Sequence, residues 1–119
     1  MSSIRVISGR FGGRLLDAPR DNNTRTKPMG ERIRNAMFNS IGNEINGAQV
    51  LDAFAGTGAV GLEALSRGAA RVTFIERDKI AQKILSNNVS SLGVQNEAKI
   101  ISAPVNYYEI GRASCRERV

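Results

Sequence analysis

The run Gly56-Thr57-Gly58-Ala59-Val60-Gly61 is where this sequence can do chemistry. It follows an apolar stretch, Gln49 to Phe54, and opens onto a helical pattern carried by Leu62 and Leu65. The spacing is G-x-G-x-x-G, a strand-to-helix turn at which a ligand can approach backbone that carries no Cβ. Two carboxylates flank it. Asp52 stands four residues before the first glycine, and Glu76 stands twenty residues after it, at the end of the next strand pattern. A carboxylate at that second place can accept hydrogen bonds from a ribose diol. The glycine spacing alone is a weak signal. A strand before it, a helix after it and an acid at the next strand end make it a nucleoside site. The bland alternative is a glycine turn that serves packing only.

Two nucleoside classes fit. A nicotinamide-binding half-domain places pyrophosphate on the helix N-terminus. A carboxylate at Asp52 would repel pyrophosphate but attract a cationic ligand, such as the amino group and sulfonium of S-adenosylmethionine. The structural alternative for Asp52 is a strand-end carboxylate that binds local backbone N–H groups. A third reading is an RNA-binding module that keeps a vestigial nucleoside loop.

These residues need elements to hold them. Gln49 to Phe54 reads as a buried strand, and Gly68 sits where a left-handed C-cap ends the helix after the glycine run. Arg71 to Ile75 is the next strand. Asp78 is a good N-cap for a helix from Lys79 to Leu92, with Ala81, Ile84, Leu85 and Val89 as its stripe and Gly93 as its end. Ala98 to Ser102 is a further strand. Strand–helix–strand–helix–strand implies a parallel α/β unit with right-handed crossovers. In front of it, Arg5 to Ser8 has strand character, and Arg10 to Leu16 reads as a turn and a second short strand, together a basic hairpin. Asp17 to Lys27 looks like a loop. Glu31 to Ser40 has helical spacing, with Ile33, Met37 and Ile41 four apart and Ala36 on the same stripe. Arg32 and Arg34 fall off that stripe and are expected to face solvent or phosphate.

Charge supports a polyanion-facing front end. The 119 residues carry a net charge of +6. Residues 1–40 hold eight basic side chains against three acidic ones, whereas residues 41–108 hold six of each. A basic face of this kind suits nucleic acid. Composition excludes other chemistry. The sequence has no His, so imidazole acid–base work and Ser–His or Cys–His catalysis are out, and one Cys allows neither an internal disulfide nor a cysteine-based zinc site. No metal is expected. No apolar run approaches the roughly 18–20 residues of a membrane span, and the start, Met1 to Arg5, lacks a signal peptide's apolar stretch. A cytoplasmic location is expected.

Val50 to Ala69 resembles the first motif of the RsmD-type methyltransferases, which modify the exocyclic N2 of a guanine in small-subunit (16S) ribosomal RNA with S-adenosylmethionine as donor. Arg5-Val6-Ile7-Ser8-Gly9 with Gly13-Arg14 resembles that family's opening hairpin, and Lys27 to Asn39 resembles its basic helix motif. The match runs in order from residue 4 to about 103. It implies a Rossmann-like α/β fold, the first half of a class I S-adenosylmethionine-dependent methyltransferase sheet, preceded by a small β-hairpin and helix. It implies that Asp52, Gly56, Thr57 and Gly58 surround the methionine part of the donor, that Glu76 holds the ribose hydroxyls and that Arg77 lies beside the adenine. Arg10, Arg14, Lys27, Arg32 and Arg34 become candidates for RNA backbone contact, which positions RNA without reading its sequence.

The expected organisation is a basic hairpin-and-helix arm over 1–48, a donor-binding half-domain over 49–108 and a non-native tail over 109–119. Two departures from the family pattern stand out. Ala103 occupies the place where the family commonly has an Asp for the adenine amino group. The family's Asn/Asp-Pro-Pro-aromatic tetrapeptide does not occur, since Pro19, Pro28 and Pro104 are unpaired. No catalytic residue is therefore assigned, and this chain alone is expected not to transfer methyl groups. Glu109 to Val119 fits no element and resembles a translated sequencing adapter, so the expectation is a foreign extension after Tyr108. A strand Val50 to Phe54 with one uncovered edge is expected to leave the chain, made alone, marginally stable or insoluble.

Overall fold

The structure, a computed structural model, describes residues 3–19 and 30–102. Lys27, Ala103, Pro104 and the tail Glu109 to Val119 lie outside the described residues. The order is β1 (Ser3–Arg5), β2 (Leu15–Asp17), α1 (Glu31–Ile41), a 3-10 turn (Gly42–Ile45), β3 (Gln49–Asp52), α2 (Ala59–Ser66), β4 (Arg71–Ile75), α3 (Lys79–Leu92) and β5 (Ala98–Ile101).

The parallel unit matches the sequence pattern closely. β3, β4 and β5 pair in that order, all parallel, with Val50 opposite Val72 and Phe74 opposite Ile100. β4 is the middle strand, and Val72, Thr73, Phe74 and Ile75 are all buried. Among the described residues β3 pairs on one side only. Asp78 caps α3 through its side chain, which accepts from the Ala81 N–H at 2.8 Å. α3 ends at Gly93, whose φ of +70° forms the left-handed stop.

α2 is buried nearly all round, Val60 being half-buried. One side lies on β3 and β4. The other is covered by the segment between β1 and β2. The Arg10 N–H donates to the Ser66 carbonyl at 2.8 Å, and the Phe11 N–H donates to the Ser66 hydroxyl, which donates in turn to the Ser8 carbonyl at 2.6 Å. β1 and β2 form the expected antiparallel hairpin, with β1 starting two residues earlier and ending three residues earlier than expected. Val6 and Leu16 share one core with Leu62, Phe74, Leu85 and Val89. The hairpin is therefore packed into the α/β unit.

α1 spans the expected residues, but its buried face differs. Arg34 and Phe38 are buried, whereas Ile33 is 63% exposed. The expectation that Arg34 faces solvent or phosphate is corrected here. A fully buried carboxylate on α2, Glu63, draws Arg34 inward, since a buried charge without a partner is far costlier than an exposed isoleucine. The Arg34 guanidinium donates to the Arg5 carbonyl at 2.6 Å and lies 3.5 Å from Glu63. Gln49 to Phe54, read as a buried strand, is exposed at Gln49 and half-buried from Val50 to Asp52, and Phe54 is 82% exposed in the turn after β3.

Candidate donor site at the glycine loop

The loop between β3 and α2 is held by the two carboxylates that flank it in sequence. Asp52, the last residue of β3, accepts from the Gly61 N–H at 3.2 Å. Glu76, directly after β4, accepts from the Gly56 N–H at 2.7 Å through one oxygen and from the Asp78 N–H at 2.9 Å through the other. Both acids thus bind local backbone, the bland alternative raised for Asp52. A carboxylate offers about four acceptor sites, so each keeps capacity for a ligand.

Burial pushes the Asp52 carboxyl up to about 6. Hydrogen bonds from the Gly61 and Phe54 backbone pull it down, and the nearby Glu76 charge adds to the rise. Two carboxylates within electrostatic reach of one another make a site that a cation relieves.

The three glycines have different reasons to be glycine. Gly56 has φ +55°, and a Cβ placed there would meet nothing within 4 Å, so its surroundings are open to a ligand. Gly58 has φ +90°, and a Cβ there would stand 2.4 Å from Leu85 Cδ1. Ligand approach was expected to require that glycine. The structure adds packing against the chain's own α3 as a constraint at that position. At Gly61 a Cβ would come within 2.3 Å of the Phe74 ring, so this glycine lets α2 lie close on β4. Thr57 is buried and its carbonyl accepts from Asn88 Nδ2 at 2.9 Å. Arg77 is exposed beside Glu76.

The basic candidates are not all gathered at this loop. Arg10 and Arg14 are exposed. Arg10 pairs with Glu97 at 3.0 Å and lies over the Phe11 ring, and Arg14 donates to the Ser91 carbonyl at 2.8 Å, near the C-terminal end of α3. The Arg10 backbone is tied to Ser66, at the C-terminal end of α2, whereas Gly58 caps its N-terminal end. Eight residues of helix separate the two, about 12 Å. Arg32 is exposed on α1.

Sequence reasoning passed over two residues that shape the site's frame. Glu63 accepts from the Ile7 and Ser8 N–H groups and from Arg67 Nε at 2.8 Å. Asn88, 1% exposed, joins α3 to both the hairpin and the glycine loop. The available signal was a polar residue on the buried stripe of α3, seven after Ala81 and three after Leu85. A hollow of mixed character, lined by Phe38, Ile45, Asn39, Asn43, Asn46 and Arg67 among others, opens near the C-terminal end of α2 and includes none of the donor-site residues. Among the described residues no three His, Cys, Asp or Glu side chains gather to hold a metal, and no helix is long and apolar enough to cross a membrane.

Residues 4–109 match the family described as "Conserved hypothetical protein 95". The chain is 42% identical over 100 residues to Ribosomal RNA small subunit methyltransferase D of Escherichia coli (strain K12), covering 84% of this chain and 49% of that protein. The chain belongs to this RsmD-type family. The Haemophilus influenzae protein of the same name is 39% identical over 100 residues, 83% of this chain and 51% of its own length. Among solved structures, a hypothetical protein of Thermus thermophilus superposes with a TM-score of 0.76 at 30% identity, covering 95% of this chain and 62% of that one. The fold is the first half of a Rossmann-like class I methyltransferase sheet. The chain spans about half the length of the curated relatives it matches.

Proposed function

We propose that this RsmD-family chain is the donor-binding part of an S-adenosylmethionine-dependent methyltransferase that acts on the exocyclic N2 of a guanine in 16S ribosomal RNA, in the cytoplasm. The observation that carries the reading is the open backbone at Gly56, set between two carboxylates that are each tied to the loop. A donor cation suits that pair. Asp52 would hold its ammonium and sulfonium end, with Gly56, Thr57 and Gly58 as the backbone wall. Glu76 would accept from the ribose hydroxyls with the lone pairs its backbone bonds leave over, and Arg77 would lie beside the adenine. The bound donor supplies an electrophilic methyl group on sulfur. The chain's own part is to orient that donor and offset its charge, which is positioning and electrostatics.

Arg10, Arg14 and Arg32, with Lys27, are the residues proposed to contact RNA backbone or the small-subunit assembly particle. Arg34 is withdrawn from that set because it is buried against Glu63. A nicotinamide cofactor is disfavoured because its pyrophosphate, at the helix N-terminus, would meet the Asp52 carboxylate.

The test is calorimetric titration with S-adenosylmethionine and, separately, with a nicotinamide dinucleotide. Binding of the first alone is expected. Binding of the second alone refutes the reading. Transfer is assayed with labelled donor and small-subunit ribosomal RNA. Donor binding without transfer is expected from these 119 residues, which hold no Asn/Asp-Pro-Pro-aromatic sequence.

A further inference from the structure

Asn88 bonds two parts of the chain that are distant in sequence. Its oxygen accepts from the Asp17 N–H at 2.7 Å, and its nitrogen donates to the Asp17 carbonyl at 3.0 Å. Those two bonds imitate a strand partner and pin the last residue of β2. The same nitrogen also donates to the Thr57 carbonyl at 2.9 Å, in the glycine loop. A carboxamide has two N–H donors, and both are used.

The bond to Thr57 fixes more than one atom. The Thr57 carbonyl shares a planar peptide with the Gly58 N–H, which donates to the Ala55 carbonyl at 2.8 Å. Turning that peptide would break both bonds at once. Glycine at φ +90° gives the loop little side-chain restraint of its own, so its orientation depends on such anchors. On the other side, Asp17 ends the strand that follows Arg14, one of the exposed basic residues of the hairpin.

We propose that Asn88 is a positioning residue that links the placement of the β1–β2 hairpin to the geometry of the donor loop. Donor bound at the loop steadies the hairpin, and a polyanion held by the hairpin favours donor binding. The coupling is reciprocal by thermodynamic necessity. This inference rests on the donor-site reading above.

Hydrogen exchange on the wild-type protein, with and without S-adenosylmethionine, tests it directly. The donor is expected to slow exchange in the loop 52–61 and also at Leu15 to Asp17, by about tenfold at the latter, although the hairpin does not line the donor site. Protection confined to the loop overturns the inference. Asn88→Ala and Asn88→Leu supply the second arm. Asn88→Leu keeps the volume and removes all three bonds without burying a charge, so it reports where the cavity left by Asn88→Ala prevents folding. In either variant, loop protection at saturating donor should persist while hairpin protection disappears. A purely structural Asn88 would lower the melting temperature yet leave donor-induced hairpin protection intact, and that result refutes the link. Absence of any protection or binding heat in wild type brings down the donor-site reading itself, and the inference with it.

Discussion

Replacing Glu63 with Ala should destabilise the protein more than any change at its surface. The carboxylate is fully buried. One oxygen accepts from the Ile7 N–H at 2.9 Å and lies 3.5 Å from Arg34 Nε. The other accepts from the Ser8 N–H at 3.1 Å and Arg67 Nε at 2.8 Å. Its removal strands two backbone donors, each costing about 1–3 kcal/mol. It also leaves Arg34, itself 1% exposed, as an uncompensated buried cation, and breaking such a pair costs about 3–5 kcal/mol. These terms share one carboxylate and do not add, so the expected loss is about 4–5 kcal/mol. Urea denaturation followed by circular dichroism reads it. At a slope of about 2 kcal/mol per molar, the midpoint should fall by about 2 M. A protein of ordinary stability would be left with little or no folded baseline. In the Glu63→Gln background, Arg34→Met should restore part of the loss, because it removes the stranded cation. A Glu63→Ala midpoint within about 0.5 M of wild type refutes the assignment of this network as the joint between hairpin, α1 and α2.

Other outcomes follow from the site. Since Asp52 titrates at about 6 in the folded chain, above its ordinary 3.8, the folded state holds a proton between those values that the unfolded state has released. Its own contribution to stability therefore worsens as pH rises through that window. A cationic donor favours the ionised form, so donor affinity should fall about tenfold per pH unit below about 6, and calorimetry finding flat affinity from pH 5 to 7.5 would exclude contact with Asp52. Gly56→Ala should weaken donor binding at least tenfold with a stability cost of about 1–2 kcal/mol from its positive φ, while Gly61→Ala, facing Phe74 and Val72, should mainly lower the melting temperature. Filter-binding and melting curves separate Arg32→Ala from Arg34→Ala: the first should reduce RNA affinity and its salt dependence at unchanged stability. The second should destabilise by about 1–3 kcal/mol, because the Arg5 carbonyl loses its donor while Glu63 keeps Arg67, and a stable Arg34→Ala that binds RNA poorly would reverse the correction made from its burial.

The local order of the parallel unit was legible in the sequence because short-range rules decide it. Asp78 and Gly93 bound α3 at the residues expected, since capping is a contest among neighbouring backbone groups. The alternation of apolar strands with helical stripes left only a parallel sheet. The positions of Asp52, the glycines and Glu76 were legible for the same reason, because strand ends and the following turn lie within a few residues of one another.

The sequence also determined that a buried carboxylate, if Glu63 was to be one, needed a cation, but not which cation. Tertiary structure chose Arg34 from α1 and Arg67 from its own helix, and left Ile33 of the α1 stripe largely in solvent while Met37 stays against the core. Hydrophobic periodicity failed there because an unpaired buried charge outweighs the transfer free energy of an isoleucine. Tertiary structure likewise gave Asn88 its partners, 31 and 71 residues away, and added contact with Leu85 as a constraint at Gly58. A sequence shows which side chains can hydrogen-bond or crowd. Only the packing of α3 against both the hairpin and the loop decides which ones meet.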